Sequence, residues 1–405
     1  MMEMVESSLE RFVGWLNQHG ELSYDPYDVW GTPYGLFART VFYHSRWIGA
    51  PFVAPLVAME WAAPAARRWL VAPTRFPSVD AHLALGYLQW HTVNGNPELL
   101  DRARRLGRCL LDASGDGYAG RCWGYPFDWQ NCRGFWPKAT PYITVVPDCY
   151  EALMRLADVT HEHVYEDAAA SALQFALRNL HQTVTFDGAA ATSYSPLDRS
   201  RVVNASALRA WMLMDGWRRF REREYREAAW RNLRFVLETQ RADGAWPYAA
   251  DRGSDAFIDN FHTCFVLNCL GRISLFVDDP QLDEAIERGY AFYRQALLDR
   301  SGQPRPFATG RTHIVRRELY DYAEGIRLGP ALSHKIPEAL DVSARLAYVA
   351  IADYQRPQGY FVTRVYRGGR RHDFPYLRWP QAQMFSALAA LAVACEVEPC
   401  AASPA

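Results

Sequence analysis

Residues 96–111 read NPELLDRARRLGRCLL, and this stretch shows how the chain is built. Its apolar positions fall at the spacing of one helix face: Leu99, Ala103, Leu106 and Leu110. That spacing predicts an amphipathic helix with one buried side. Asparagine followed by proline is a typical helix start, and the same type of start recurs at Asp279-Pro280. The stretch therefore predicts one unit of a repeating helical protein.

Two kinds of predicted helix alternate outward from this stretch, repeating roughly every 60 residues. Amphipathic helices are predicted at 97–111, 164–182, 222–241, 280–293 and 337–355. More apolar helices are predicted at 79–93, 145–159, 203–217, 258–275, 315–328 and 379–395. A helix that is apolar around most of its circumference belongs inside other helices. The alternation therefore predicts six inner helices with outer helices behind them.

The connections between these helices are unequal in length. The turn from an inner to an outer helix is short, whereas the return takes roughly 15–30 residues, well above the usual loop. Short turns at one end and long loops at the other predict a closed ring, with function at the loop-bearing end. Val5–Gln18 supplies the sixth outer helix. We predict an all-α (α/α)6 toroid over 76–396, a closing helix plus an apolar lid segment over 1–75, and a disordered tail over 397–405.

A short motif occurs twice where an outer helix ends. QRADGAW at 240–246 and QRPQGYF at 355–361 both fit Gln-x-x-x-Gly-x-aromatic. The motif resembles a helix-ending signature shared by terpene cyclases and six-hairpin carbohydrate-active proteins. Over most of residues 75–395 the chain resembles the six-hairpin group, especially exopolysaccharide-biosynthesis proteins and the catalytic regions of glucuronyl carbon-5 epimerases. The resemblance implies a toroid that processes polysaccharide.

Composition and the N-terminal segment limit the classes of partner. The net charge of −1 argues against a nucleic-acid binder that relies on bulk positive charge. Residues 1–11 carry three glutamates and no apolar core, so we expect no secretory signal and a cytoplasmic protein. The apolar stretch 47–59 contains two prolines and is too short to span a bilayer. We expect a buried or lid segment there; the alternative is peripheral membrane contact through 47–72.

The predicted long loops are rich in aromatic and arginine side chains. Flat rings stack on sugars, and guanidinium groups bind carboxylate, so we expect a cleft for an acidic oligo- or polysaccharide. The alternative is that the rings pack the loops and the arginines pair with Asp and Glu. The substrate-binding candidates are Trp123, Tyr125, Trp129, Arg199, Arg201, Asn204, Trp246, Tyr248, Asn260, Arg316, Tyr320, Arg378, Trp379 and Gln383.

Two loop-to-helix junctions carry the catalytic candidates. Tyr194 and Asp198 precede the third inner helix, and Asp259 and His262 stand at the head of the fourth. We expect Tyr194 and His262 to transfer protons, with neighbouring arginines lowering the pKa of Tyr194. Simpler interpretations remain open, because Asp198 suits a helix N-cap and His262 suits a hydrogen-bonded core position.

These residue types favour proton abstraction beside a uronate carboxylate, giving epimerisation or β-elimination. One alternative is an inverting glycoside hydrolase that uses Asp198 and Asp259 as its carboxylate pair. Another is a non-catalytic saccharide-binding scaffold. Terpenoid chemistry has the least support, because the loops hold no aspartate-rich motif. We expect neither a metal nor a cofactor.

Overall fold

The protein is built almost entirely from helices that run back and forth. A computed structural model describes residues 1–115, 117–185, 187–250, 257–308 and 314–397. The first seven helices are α1 Met2–His19, α2 Pro33–His44, α3 Arg46–Ala62, α4 Pro77–Asn94, α5 Pro97–Asp112, α6 Val146–Thr160 and α7 His163–Arg178. They are followed by α8 Val203–Phe220, α9 Arg223–Thr239, α10 Asn260–Ser274, α11 Pro280–Phe292, α12 Leu319–Leu332, α13 Glu338–Val349 and α14 Gln381–Val397.

The long loops contain short antiparallel strands. They are β1 Trp129–Asn131, β2 Gly134–Trp136, β3 Gln182–Val184, β4 Ala190–Thr192, β5 Val315–Glu318, β6 Arg364–Tyr366 and β7 Arg371–His372. β1 pairs with β2, β3 pairs with β4, and β6 lies between β5 and β7. The strands give rigid edges to the loops that connect outer helices to the next inner ones.

The even-numbered helices from α4 to α14 form a closed inner ring. Each contacts the next, and α14 packs against α4 to complete the circle. The outer layer consists of α5, α7, α9, α11, α13 and α1, each lying behind the inner ring. This is the predicted (α/α)6 toroid, and the prediction is confirmed.

Local sequence accounts for both layers. α5 starts where Asn96 accepts a hydrogen bond from the backbone N–H of Glu98, and its apolar face, including Leu106 and Leu110, is buried. α14 reads QAQMFSALAALAVACEV and has no polar face to turn toward water. It is buried along most of its length, as an inner helix must be.

The repeated glutamine motif links two outer helices to the outer helices that follow them in the ring. Gln240 Nε2 donates to the carbonyl of Gly244 in its own loop and to that of Ala285 on α11. Gly244 has a φ of +88°, and a Cβ there would lie 2.3 Å from the carbonyl oxygen of Arg288. Only glycine suits that left-handed, crowded position. The motif therefore holds neighbouring outer helices together.

The second copy of the motif identifies α1 as the sixth outer helix. Gln355 Nε2 donates to the carbonyl of Gly359 and to that of Ser8 on α1. Phe12 of α1 is buried and stacks on Phe385 of α14, with ring centroids 5.1 Å apart. Since Gln240 joins α9 to α11 and Gln355 joins α13 to α1 in the same way, the N-terminal helix closes the ring.

Two expectations need correction. The fifth inner helix starts at Leu319 rather than at residue 315, because Val315–Glu318 pairs with β6 as a strand. The segment 47–59 is not buried: α3 runs through Pro51 and Pro55 as one helix, and Trp47 is 93% exposed. The carbonyls that the prolines leave unpaired lie on its exposed side, where water can bind them.

No helix within the described residues is long and apolar enough to cross a membrane. Residues 398–405, which make up nearly all of the predicted tail, lie outside the described part of the chain.

Candidate active site

A cavity of about 580 Å³ opens at the end of the ring where the long loops gather. Its floor is formed by the N-terminal turns of inner helices, which contribute His82 of α4, Asp148 of α6 and Gln383 of α14. The loops raise walls around this floor. The volume is within the range of small-molecule sites.

Aromatic rings line most of the cavity wall. On one side Tyr142 lies 4.9 Å from Tyr125 and 5.6 Å from Tyr194, measured between ring centroids. On the other side Tyr320 stacks on Trp379 at 4.1 Å, with the rings 7° from parallel. Flat apolar faces around an enclosed space suit sugar rings.

His262 enters the cavity from the first turn of α10. Its Nδ1 lies 2.7 Å from Oδ2 of Asp259, the residue at the N-cap position just before the helix, and Asp259 is buried. The ring of Tyr248 lies 4.6 Å from the imidazole. No hydrogen bond from the described residues reaches Nε2 of His262. The carboxylate thus fixes the ring orientation and leaves one nitrogen for a ligand.

A second imidazole–carboxylate pair lies on the cavity floor. His82 Nε2 is 3.3 Å from Oδ2 of Asp148, and both residues line the cavity. Burial alone would raise the pKa of Asp148, but His82, Arg327 and Arg272 together hold it below its usual value. Asp148 therefore remains a carboxylate near neutral pH and can orient His82.

Below the floor, charged side chains of the inner helices pair with one another. Arg272 of α10 contacts Glu151 of α6 at 2.7 Å. Burial raises the pKa of Glu324, an effect opposed by Arg327 and His82. These oppositely charged arginine and glutamate side chains lie close together beneath the floor and stabilise it, and none of them lines the cavity.

Tyr194 lines the cavity, but its ionisation differs from the expectation. Burial raises the pKa of Tyr194 well above its usual value, and the nearby Tyr125 and Tyr248 raise it further. The expected lowering by arginine is therefore wrong. Its hydroxyl accepts a hydrogen bond from Thr144 Oγ1 at 3.1 Å, which leaves the phenolic proton available for donation.

Asp198 also lies at the cavity wall, where its carboxylate is used by its own turn. Oδ2 accepts from the backbone N–H and the hydroxyl of Ser195 at 2.7 and 2.8 Å. Oδ1 accepts from the N–H groups of Tyr194 and Ser200. Asp198 is therefore not the N-cap of α8, a position held by Val202; its carboxylate holds the loop turn that precedes the helix.

Arg378 supplies positive charge at the wall beside Trp379. Its guanidinium pairs with both carboxylate oxygens of Asp25 and lies 4.8 Å from the centroid of Tyr125. Arg199 lines the cavity from an exposed position. Arg133 lines the cavity from an exposed position as well, so the wall has one arginine fixed by an ion pair and two that are exposed.

The structure brings together eight of the predicted substrate-binding residues. The members that line the cavity are Tyr125, Trp129, Arg199, Tyr248, Tyr320, Arg378, Trp379 and Gln383. Their assembly follows from the loops sharing one end of the ring.

Six predicted binding residues do not line it. Trp123 and Trp246 are buried and donate to the carbonyls of Leu110 and Val236, so they pack the loops. Asn260 is buried and donates to the carbonyls of Leu297 and Arg305. Arg316 is exposed on β5, outside the cavity lining.

The remaining two, Arg201 and Asn204, lie at the entry to α8. The carbonyl of Arg201 accepts from the N–H of Ala250, and the Asn204 side chain is buried without a hydrogen-bond partner among the described residues. Neither His82 nor Asp148 was among the predicted site residues. Their only sequence signal is a polar residue early in an apolar inner helix, at 82 and at 148.

Other proteins of known structure share this architecture. No protein-family model and no curated sequence matches the chain. A cellobiose 2-epimerase from Bacillus thermoamylovorans B4167 is similar in structure, with a TM-score of 0.61, 10% identity, and coverage of 79% of this chain and 88% of that one.

Enzymes of other reaction types are similar to the same degree. An unsaturated glucuronyl hydrolase specific for heparin has a TM-score of 0.59 at 13% identity, covering 81% of this chain and 88% of that one. A polysaccharide lyase has a TM-score of 0.55 at 12% identity, covering 80% and 92%. At such low identities the likeness establishes the architecture: the chain has the (α/α)6 toroid fold found in these carbohydrate-active enzymes.

Proposed function

We propose that the protein is a carbohydrate epimerase that removes and returns the proton beside the carboxylate of a uronate residue in an acidic glycan. The observation that carries the proposal is the presence of two imidazole–carboxylate pairs, His262–Asp259 and His82–Asp148, at one cavity. Inverting a carbon centre requires one group to take a proton from one face and another to deliver a proton to the opposite face. Imidazoles suit both tasks near neutral pH.

In this proposal one of the two imidazoles, His262 or His82, removes the proton from the substrate carbon, and the other delivers a proton to the opposite face. Other groups of the wall stabilise the negative charge that develops on the substrate carboxylate. Tyr194 keeps its phenolic proton because burial raises its pKa, so it donates a hydrogen bond rather than acting as a base. Arg199 lines the cavity from an exposed position, and its guanidinium suits the substrate carboxylate. The aromatic wall holds the neighbouring sugars.

Hydrolysis has less support from the carboxylates. An inverting hydrolase needs two carboxyl groups free to face the scissile bond, roughly 6.5–9.5 Å apart. Asp198 accepts hydrogen bonds from its own turn through both oxygens, and Asp259 is buried against His262. The predicted hydrolase pair is thus already engaged in local contacts.

The test is incubation with oligosaccharides of glucuronate, galacturonate and mannuronate in deuterated water, followed by nuclear magnetic resonance. We expect deuterium at the carbon beside the carboxylate, without chain cleavage. An unsaturated product absorbing in the ultraviolet would make the enzyme a lyase with the same first step. New reducing ends alone, or no reaction across the panel, would refute proton abstraction.

Variants of the two histidines separate their roles. We expect His262→Gln and His82→Gln each to lower formation of the epimer at least about 100-fold. Each variant should still exchange some deuterium into one epimer, because the remaining imidazole serves one face. His163→Gln is the matched control, since His163 is exposed at the start of α7. Full inversion in either cavity variant would contradict the two-imidazole mechanism.

A further inference from the structure

The helical hairpin formed by α2 and α3 carries a large apolar surface that the ring does not cover. Trp47 and Ile48 are 93% and 64% exposed. Phe37, Phe52, Val57 and Trp61 are also exposed. Within the described residues, α3 packs mainly on α2 and on the short helical turn that follows it. A contiguous apolar surface of this kind marks an interaction site.

The hairpin is held in one shape, so its exposed face is a fixed feature. A Cβ at Gly49 would lie 2.1 Å from Cα of Phe42, which means that α2 and α3 cross with their backbones close together. The hydroxyl of Tyr34 donates to the carbonyl of Phe52 at 2.9 Å, and the rings of Phe37 and Phe52 meet edge to face. These contacts leave the opposite side of α3 to solvent.

The apolar residues are arranged along α3 rather than clustered at one end. Trp47 and Trp61 are fourteen residues apart and therefore share one side of the helix, about 21 Å from each other. Trp69 and Leu70 extend the surface beyond the helix, and Trp69 is 88% exposed. Tryptophans at both ends of an apolar helix face suit a helix lying flat at a membrane–water boundary.

The charged residues near this surface are mostly positive, although the whole chain is nearly neutral. Between Asp28 and Asp80 the sequence holds five arginines and a single acid, Glu60. Two of the five are neutralised by ion pairs, Arg67 with Asp28 and Glu60 and Arg75 with Glu21 and Asp80. Glu60 points inward: it pairs with Arg67 and accepts a hydrogen bond from Tyr376 at 2.9 Å. The segment therefore presents no exposed carboxylate around its apolar face.

Exposed arginines stand at both ends of α3. Arg46 is its first residue, and Arg68 follows its C-terminal end. Arg370, from the β6–β7 turn, donates to the carbonyl of Ala62 at 2.9 Å and lies 4.3 Å from the ring of Trp61. Arg68 and Arg370 also line a second, open cavity of about 540 Å³ beside Trp61. Arg371 lines it as well, and the carboxylate in its lining, Asp373, pairs with Arg356, so the wall is predominantly basic and suits a phosphate headgroup.

We propose that the α2–α3 hairpin docks the protein on the surface of a membrane that contains anionic lipid. Apolar side chains of α3 enter the headgroup and acyl boundary, and the flanking arginines bind lipid phosphates. A second copy of the chain is a poorer occupant, because a two-fold contact would bring the same arginines together without exposed carboxylates from this segment. The docked hairpin adjoins the cavity wall, since Arg39 of α2 lies 5.3 Å from the ring of Trp129.

The test is co-sedimentation of the full chain with vesicles of phosphatidylcholine alone and of phosphatidylcholine containing phosphatidylglycerol. We expect at least about tenfold stronger partitioning to the anionic vesicles, weakened by salt. The double variant Trp47→Ser/Ile48→Ser should lower binding to them at least about tenfold. Arg46→Ser/Arg68→Ser should reduce it to the level seen with phosphatidylcholine.

The control is Val184→Ser/Leu275→Ser, which removes two exposed apolar side chains from other surfaces. All of these side chains are exposed, so circular dichroism melting should match the wild type. Absence of binding, equal binding to both vesicle types, or equal loss in the control would overturn the proposal. A dimer in solution that the Trp47→Ser/Ile48→Ser variant dissociates would also overturn it, and would assign the surface to a second copy.

Discussion

Two aspartates illustrate how much a single residue's role depends on its neighbours in space. Asp198 stands in a loop with tyrosine, serine and arginine, a pattern that suggested catalysis, yet its oxygens cap its own turn. Asp148 reaches the cavity beside His82, which lies 66 positions earlier on another inner helix. Asp198 precedes α8 and Asp148 lies in the first turn of α6, so the start of an inner helix brings each of them to the loop-bearing end. The local sequence could not predict which of the two carboxylates accepts hydrogen bonds from backbone N–H groups, because that depends on the direction of each side chain.

The contacts of Asp198 lead to a prediction about stability. Asp198→Ala should lower the free energy of unfolding by about 2–3 kcal/mol, because several hydrogen bonds to an ionised group are lost at once. Asp198→Asn should cost less, since one acceptor oxygen remains. Urea unfolding followed by tryptophan fluorescence measures both, and Asp167→Ala, at an exposed position on α7, is the control.

A catalytic role would show the opposite pattern in the same variants. If Asp198→Asn keeps full stability but abolishes turnover of the acidic oligosaccharides, the carboxylate takes part in the reaction and its role is not limited to holding the loop turn. Retained activity in Asp198→Asn would exclude Asp198 from the hydrolase pair.

At the scale of elements, the periodic helices could be predicted and the hairpin could not. The 3.6-residue pattern located the inner and outer helices because each buries a defined face. It failed for α2 and α3, because Trp47 and its neighbours are apolar without being buried. The same pattern placed the start of one helix at residue 315, four residues too early. These residues form β5, and its pairing with β6, which is distant in the sequence, cannot be seen in the local pattern.

The first turn of α4 should make the stability of the protein depend on pH. Asp80 is fully buried, and burial raises its pKa to about 7 despite the ion pair with Arg75 at 2.7 Å. The folded state therefore holds this proton more tightly than the unfolded chain, whose carboxyl titrates near pH 4. The contribution of Asp80 to stability is full below about pH 4 and is lost as the pH rises through 7.

We expect the free energy of unfolding to fall between pH 5 and pH 8 by roughly 2 kcal/mol through this one group. Asp80→Asn should remove that part of the pH dependence, as measured by urea unfolding at both pH values. Asp101→Asn, exposed on α5, should leave it unchanged. If the free energy of unfolding of Asp80→Asn falls by the same amount between these pH values, other buried carboxyls cause the pH dependence.

For the whole molecule, the number of helices was the decisive clue. Five outer helices followed six inner ones, so a closed ring required the N-terminal segment as the sixth. The structure places α1 there, and the two glutamine motifs make equivalent bonds to α11 and α1. The function of the enclosed cavity could not be predicted to the same degree, because similar rings serve an epimerase, a hydrolase and a lyase.

Closure by α1 predicts that one buried ring outside the cavity lining supports the entire toroid. Phe12 is 1% exposed and stacks on Phe385 of α14, the helix that completes the inner circle. Phe12→Ala should therefore lower the free energy of unfolding by about 3–5 kcal/mol in a single cooperative transition. Glu10→Ala, on the exposed side of α1, is the control and should change it little. If Phe12→Ala instead releases α1 to protease while the rest unfolds at the wild-type urea concentration, the ring is stable without its N-terminal helix and closure belongs to α14 and α4 alone.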